Sequence, residues 1–109
     1  MEPLPETTVD LVAHDDAVRI TVVGDLDLSV AHLPQQLLAE HLEQGGAVRE
    51  VVVDLHAVGF VDSTGLGGLI RVRHETAPPG SRVVLEGANA RVRQLLAMTG
   101  LDRDFVLTD

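Results

Sequence analysis

Apolar and polar positions follow two periods along this chain. Val9-Asp10-Leu11-Val12 and Val18-Arg19-Ile20-Thr21-Val22-Val23 are short, β-branched runs that read as strands. His14-Asp15-Asp16 supplies turn residues between them, so an antiparallel hairpin is expected. After Gly24-Asp25-Leu26-Asp27 the period changes. Val30, Leu33, Leu37, Leu38 and Leu42 share one helical face. Ser29 is a candidate cap. Pro34 disfavours helical geometry at Leu33, so the regular helix is expected to start only at Leu33 or Pro34, after a looser turn. Gly45-Gly46 ends it. Glu50-Val51-Val52-Val53-Asp54-Leu55 reads as a buried parallel strand. A second helix is expected from near Ser63, with Leu66, Leu69, Ile70 and the stem of Arg73 inward and Pro78-Pro79-Gly80 as its stop. Arg82-Val83-Val84-Leu85-Glu86 is the next strand. Asn89 caps a third helix with Val92, Leu95 and Leu96 inward and Gly100 as terminator. Phe105-Val106-Leu107 is a last short strand.

The resulting fold class is α/β: a small mixed β-sheet with an N-terminal antiparallel hairpin, then helix–strand repeats with the helices packed on the sheet. Strands joined through a helix are expected to be parallel, with right-handed crossovers. Strands two, three and four then end at one edge. The loops Gly24 to Ser29, His56 to Asp62 and Gly87 to Asn89 gather there, and open α/β sheets place their sites at that edge. Ser63 falls on it by topology alone.

Composition narrows the choice of chemistry. At 109 residues and 45% hydrophobic content, one folded domain over 7–109 is expected, behind a loose tail at 1–6. No apolar run can span a bilayer and the start lacks signal-peptide character, so a cytoplasmic protein is expected. Cysteine is absent, which excludes disulfides, thiolate metal sites and a cysteine nucleophile. Lysine is absent too, and all eight basic residues are arginines, which excludes a phosphate-loop lysine and a Schiff base. The net charge of −9 and only two aromatic residues argue against nucleic acid and anionic lipid, and for a protein partner.

Phe60-Val61-Asp62-Ser63-Thr64-Gly65-Leu66-Gly67 concentrates the candidate chemistry. Aspartate, serine and threonine at a helix start are ordinary caps. Capping alone does not explain Gly65, Gly67 and Gly68, each of which costs a helix about 1 kcal/mol against alanine. They imply close approach, either by a neighbouring element, with packing on the sheet the simplest case, or by a partner's backbone. A hydrolase elbow needs glycine where Val61 stands. A receiver-type phosphoacceptor at Asp54 needs an acidic pair and a lysine that the chain lacks. Ile70 breaks a dinucleotide fingerprint. His14, His32, His41, His56 and His74 are scattered without metal-ligand spacing, so no metal and no cofactor are expected. Arg71, Arg73, Arg91 and Arg93 read as solvated helix faces.

Gly24-Asp25-Leu26-Asp27, Val52-Val53-Asp54-Leu55, the segment from Phe60 to Gly67, and Met98-Thr99-Gly100-Leu101 together resemble the STAS domain, most closely bacterial anti-sigma factor antagonists, over about residues 7 to 108. The resemblance implies a single-domain STAS fold and a binding switch rather than an enzyme. It implies that Ser63, with Thr64 the lesser candidate, is phosphorylated by an anti-sigma factor serine kinase. The unphosphorylated form then binds that kinase and frees a sigma factor, and a serine phosphatase reverses the modification. Asp25, Asp27, Asp62, Ser63, Thr64, Gly65 and Leu66 are the implied partner-binding residues, and a monomer is the family expectation. Two other classes stay open: a constitutive STAS scaffold or subunit (a stressosome component or a lipid-transport partner), and a small-ligand or nucleotide-binding STAS domain.

Overall fold

The N-terminal hairpin forms as its pattern predicts. In the computed structural model, which describes residues 6–76 and 81–109, β1 (Thr8–His14) pairs antiparallel with β2 (Ala17–Val23). Asp15 turns the corner with a φ of 54°, a left-handed value that aspartate tolerates better than most residues. Then follow α1 (Leu33–Glu43), β3 (Glu50–Ala57), α2 (Ser63–Glu75), β4 (Arg82–Glu86), α3 (Ala90–Thr99), a 3₁₀ turn (Leu101–Arg103) and β5 (Val106–Thr108). Of the tail expected at 1–6 only Glu6 is described, and the Pro78-Pro79-Gly80 stop lies outside the described residues.

Both caps of α3 are those the sequence marks. Asn89 Oδ1 accepts from the Val92 N–H at 3.0 Å, and Gly100 closes the helix with a φ of 75°. The start of α1 is equally irregular to expectation: turns run up to His32 and the helix begins at Leu33, with Pro34 in its first turn. Ser29 is not its cap. Asp27 Oδ1 instead accepts from the Ser29 N–H at 3.0 Å and from its hydroxyl at 2.6 Å, which makes a local turn four residues short of the helix.

The five strands lie in chain order, β1-β2-β3-β4-β5, with every pairing after the first parallel. This order decides more than the elements do. Each crossover steps in the same direction, so right-handed connections put α1, α2 and α3 on the same face. Their buried residues Leu38, Leu66, Leu69, Val72, Val92 and Leu96 join Ile20, Val53 and Leu85 in a single core. Burial of each such side chain contributes about 1.5–3 kcal/mol, which is where the fold's stability resides. β3 is the expected parallel strand, and it is buried on one face. Val51, Val53 and Leu55 are in the core, while Val52 and Asp54 face away and are half-buried. The uncovered face carries in-register rows across the sheet: Val12, Arg19, Val52, Val84 and Val106 in one, Asp10, Thr21, Asp54, Glu86 and Thr108 in the next.

Candidate functional site

The three loops at the carboxyl edge of the sheet are tied together through their backbones. The Gly24 N–H donates to Ala57 O at 3.1 Å and the Leu26 N–H to Phe60 O at 2.8 Å, so that Leu26 and Val61 form an isolated parallel bridge. Asn89 Nδ2 donates to Gly59 O at 3.2 Å and brings in the third loop. Leu26 and Val61 are buried beneath this junction, which fixes where the next residue, Asp62, enters α2.

Asp62, not Ser63, is the helix cap. Its backbone is extended and its Oδ1 accepts from the Gly65 N–H at 2.8 Å and from the Thr64 hydroxyl at 2.5 Å. The Thr64 hydroxyl, then the Gly65 N–H, hold the Asp62 carboxyl below the ordinary aspartate value, outweighing burial, with further help from the Thr64 and Leu28 N–H groups. Thr64 Oγ1 is thus committed to the cap. Ser63 is exposed at the first helical position, and its hydroxyl has no hydrogen-bond partner among the described residues.

The cap gives a prediction with a definite sign. A depressed folded-state pKa means that ionised Asp62 stabilises the fold above the ordinary aspartate range, near pH 4, and that this contribution disappears as pH falls through the lower folded value. Asp62→Ala is expected to lower the melting temperature by several degrees at pH 7, with the difference from wild type shrinking in acid. Thermal melts of both proteins across the acid range check it; a difference that grows below pH 4 contradicts the cap.

The glycines of α2 separate into two kinds. A Cβ on Gly65 would collide with the carbonyl oxygen of Leu26, and one on Gly68 with that of Ala31. The close neighbour is therefore the backbone of the loop between β2 and α1, rather than the sheet. Gly67 has open space where its Cβ would be.

The other sequence-predicted site residues divide by exposure. Asp25 is exposed and its carboxylate lies near Gly59. Asp27 is turned back onto Ser29. Leu66 is 7% exposed and packs in the core, so it holds the helix rather than offering a surface. Two exposed apolar residues at the same edge complete the rim: Leu28 is 74% and Phe60 54% exposed. Leu28 carried no periodic signal, because this edge is built from loops.

A second polar group was not visible in the sequence. Asp54, His56, Glu86 and Arg19 come together on the uncovered face from β3, β4 and β2. Burial pushes the Asp54 carboxyl up, but hydrogen bonds from the His56 N–H and ring, together with the His56 and Arg19 charges, bring it below the usual value. The two hydrogen bonds from the guanidinium to Glu86 do most to raise the pKa of Arg19. The spacing of Asp54 and His56, two apart on a strand, was the available signal; Glu86 lies 32 residues beyond Asp54 and enters only through strand register. Arg73 and Arg93 also differ from the solvated role expected of them: Arg73 Nε donates to Asp104 O at 3.1 Å, and Arg93 Nε to Ala88 O at 3.0 Å. Among the described residues no helix is long and apolar enough to cross a membrane.

The geometry agrees with known proteins. A family model described as "Mlab, STAS domain" matches residues 9–108. An anti-sigma-B factor antagonist of Bacillus subtilis is 28% identical over 93 residues, which are 85% of this chain and 83% of that protein. An anti-sigma-B factor antagonist of Listeria monocytogenes is 31% identical over 86 residues, 79% of this chain and 74% of the other. The crystal structure of an anti-sigma factor antagonist from Mycobacterium paratuberculosis superposes with a TM-score of 0.76 at 25% identity, covering 94% of this chain and 86% of that one.

Proposed function

The chain belongs to the STAS domain family, and we propose that within it this protein is an anti-sigma factor antagonist. In its unphosphorylated form it binds an anti-sigma factor that is also a serine kinase, which releases a sigma factor. The kinase transfers the γ-phosphoryl group of ATP to Ser63 Oγ, which ends the interaction, and a serine phosphatase restores it. The protein is a substrate and a cytoplasmic binding switch, not a catalyst, and it works as a monomer.

One observation carries this reading: the Ser63 hydroxyl is exposed at the N-terminus of α2 and has no hydrogen-bond partner among the described residues, while the neighbouring Thr64 hydroxyl is held by Asp62. That difference favours Ser63 as the acceptor over Thr64. The surrounding edge suits a protein partner. Leu28 and Phe60 offer exposed apolar contacts, and Asp25, Asp62 and Thr64 a polar rim.

Incubation with the cognate kinase and ATP, followed by mass spectrometry of proteolytic peptides, tests the proposal. Phosphate on Ser63 is expected in wild type and in Thr64→Ala, and none in Ser63→Ala. Full modification of Ser63→Ala would sink it. The second reading, a constitutive STAS subunit, draws on the description of the matching family model, which names Mlab. A stable assembly that ignores phosphorylation is its mark. The small-ligand reading lacks any comparable observation.

A further inference from the structure

We propose that Asp54, His56 and Glu86 form a binding site for a divalent transition-metal ion of the zinc type on the uncovered face of the sheet. The site follows from strand geometry. Asp54 and His56 are two apart on β3 and so share a face, and Glu86 is the registered neighbour of Asp54 on β4. His56 Nδ1 lies 2.7 Å from Asp54 Oδ1 and 3.7 Å from Glu86 Oε1. One ligand atom from each of the three residues lies within 4.8 Å of the others. Two ligands about 2.0–2.2 Å from a tetrahedral zinc stand roughly 3.3–3.6 Å apart; the two histidine–carboxylate separations, 2.7 and 3.7 Å, bracket that spacing, and side-chain rotation has to bring the carboxylate oxygens, within 4.8 Å, onto the ion. Imidazole with two carboxylates is a donor set that zinc accepts, with its fourth position left to water.

The ligands are held in place by their surroundings. The His56 ring packs so closely over Gly87 that a Cβ there would collide with it, and the φ of 73° at Gly87 favours glycine independently. The His56 N–H donates to Asp54 Oδ1 at 3.1 Å, which fixes that carboxylate. Arg19 supports the outer oxygens: its NH2 donates to Glu86 Oε2 at 3.2 Å and its NH1 to Asp54 Oδ2 at 3.3 Å. NH1 also donates to Glu86 Oε1 at 3.1 Å, and a carboxylate oxygen has a further lone pair for the ion. Arg19 repels a cation, but two carboxylates against one guanidinium leave the cluster negative, in a chain of net charge −9. The ion takes the place of the proton between His56 Nδ1 and Asp54, and the ring then keeps its remaining proton on Nε2. The three side chains are 22–53% exposed, so the ion has access from solvent. A bound ion would tie the root of the loop that leads to Ser63 onto β4.

Calorimetric titration of the chelator-stripped full chain with zinc chloride tests the site. One zinc ion per chain with micromolar affinity is expected. His56→Gln and Glu86→Gln are each expected to weaken binding at least ~10-fold, as loss of a ligand contact requires. His14→Gln, at an exposed histidine beside Asp15, is expected to bind as wild type. Zinc-induced shifts of the His56 ring resonances in the wild-type NMR spectrum decide the matter if a variant does not fold. Lack of saturable binding up to about 1 mM, wild-type affinity in His56→Gln, or shifts centred on another histidine overturn the proposal.

Discussion

Ser63→Asp is expected to lose at least 100-fold in affinity for the anti-sigma kinase while melting close to the wild-type temperature. The two halves of this result have separate physical causes. Ser63 is exposed at the first position of α2, where a negative charge meets the positive end of the helix dipole. The adjacent Asp62 carboxylate opposes it, but that charge is already satisfied by Thr64 and Gly65. The fold has no reason to reject the substitution. A partner surface complementary to a neutral hydroxyl does, because docking would desolvate a charge with no cation opposite. Stranding a charge in this way costs about 3 kcal/mol or more, and that corresponds to more than 100-fold in binding. Phosphate, with roughly −1.5 to −2 charge, is expected to act at least as strongly. Calorimetry with the kinase and a thermal melt of the same sample read both halves. A variant that binds normally contradicts the switch, and one that has lost cooperative unfolding contradicts its location at the interface.

Gly65→Ala is expected to be the most destabilising small substitution in the motif, by about 3 kcal/mol, lowering the melting temperature by roughly 10–20 °C. The added Cβ would meet the carbonyl oxygen of Leu26, which is bridged to Val61 and cannot yield without separating the two loops. Gly67→Ala, two residues along the same helix, is expected to stabilise by up to about 1 kcal/mol, since its Cβ meets nothing and alanine is the better helix former. Denaturant melts of the pair are decisive as a comparison. Equal effects would mean that helix propensity, not the approach of the loop, explains these glycines. Partner binding by Gly67→Ala provides a further readout of whether that open position lies under the kinase.

The motif from Asp62 to Gly65 shows how far local information reaches. A cap acts over three residues, so a helix start near Ser63 was legible from Asp62, Ser63 and Thr64 alone. Which of the three does the capping was not, because serine, threonine and aspartate are interchangeable as residue types at that position. The structure resolves it through two hydrogen bonds to one Asp62 oxygen. On the proposed reading the choice matters, since the cap occupies the Thr64 hydroxyl while that of Ser63 has no partner among the described residues. Ser29 is no cap because α1 begins only at Leu33, with His32 at the N-cap position, and Ser29 is bound to Asp27 in the turn before it.

By itself the sequence determined what short-range physics controls. The periods of two and 3.6, Pro34 delaying α1, Asn89 and Gly100 bounding α3, and the hairpin turn at Asp15 all depend on a few neighbouring residues. It also placed three loops at one edge, because strands joined through a helix run parallel and so end on the same side. Tertiary structure alone decided which backbone presses on Gly65 and Gly68, that one face of the sheet stays bare, and that Arg19, Asp54, His56 and Glu86 meet there. Those outcomes depend on strand order and register, summed over contacts tens of residues apart, and no local pattern encodes them.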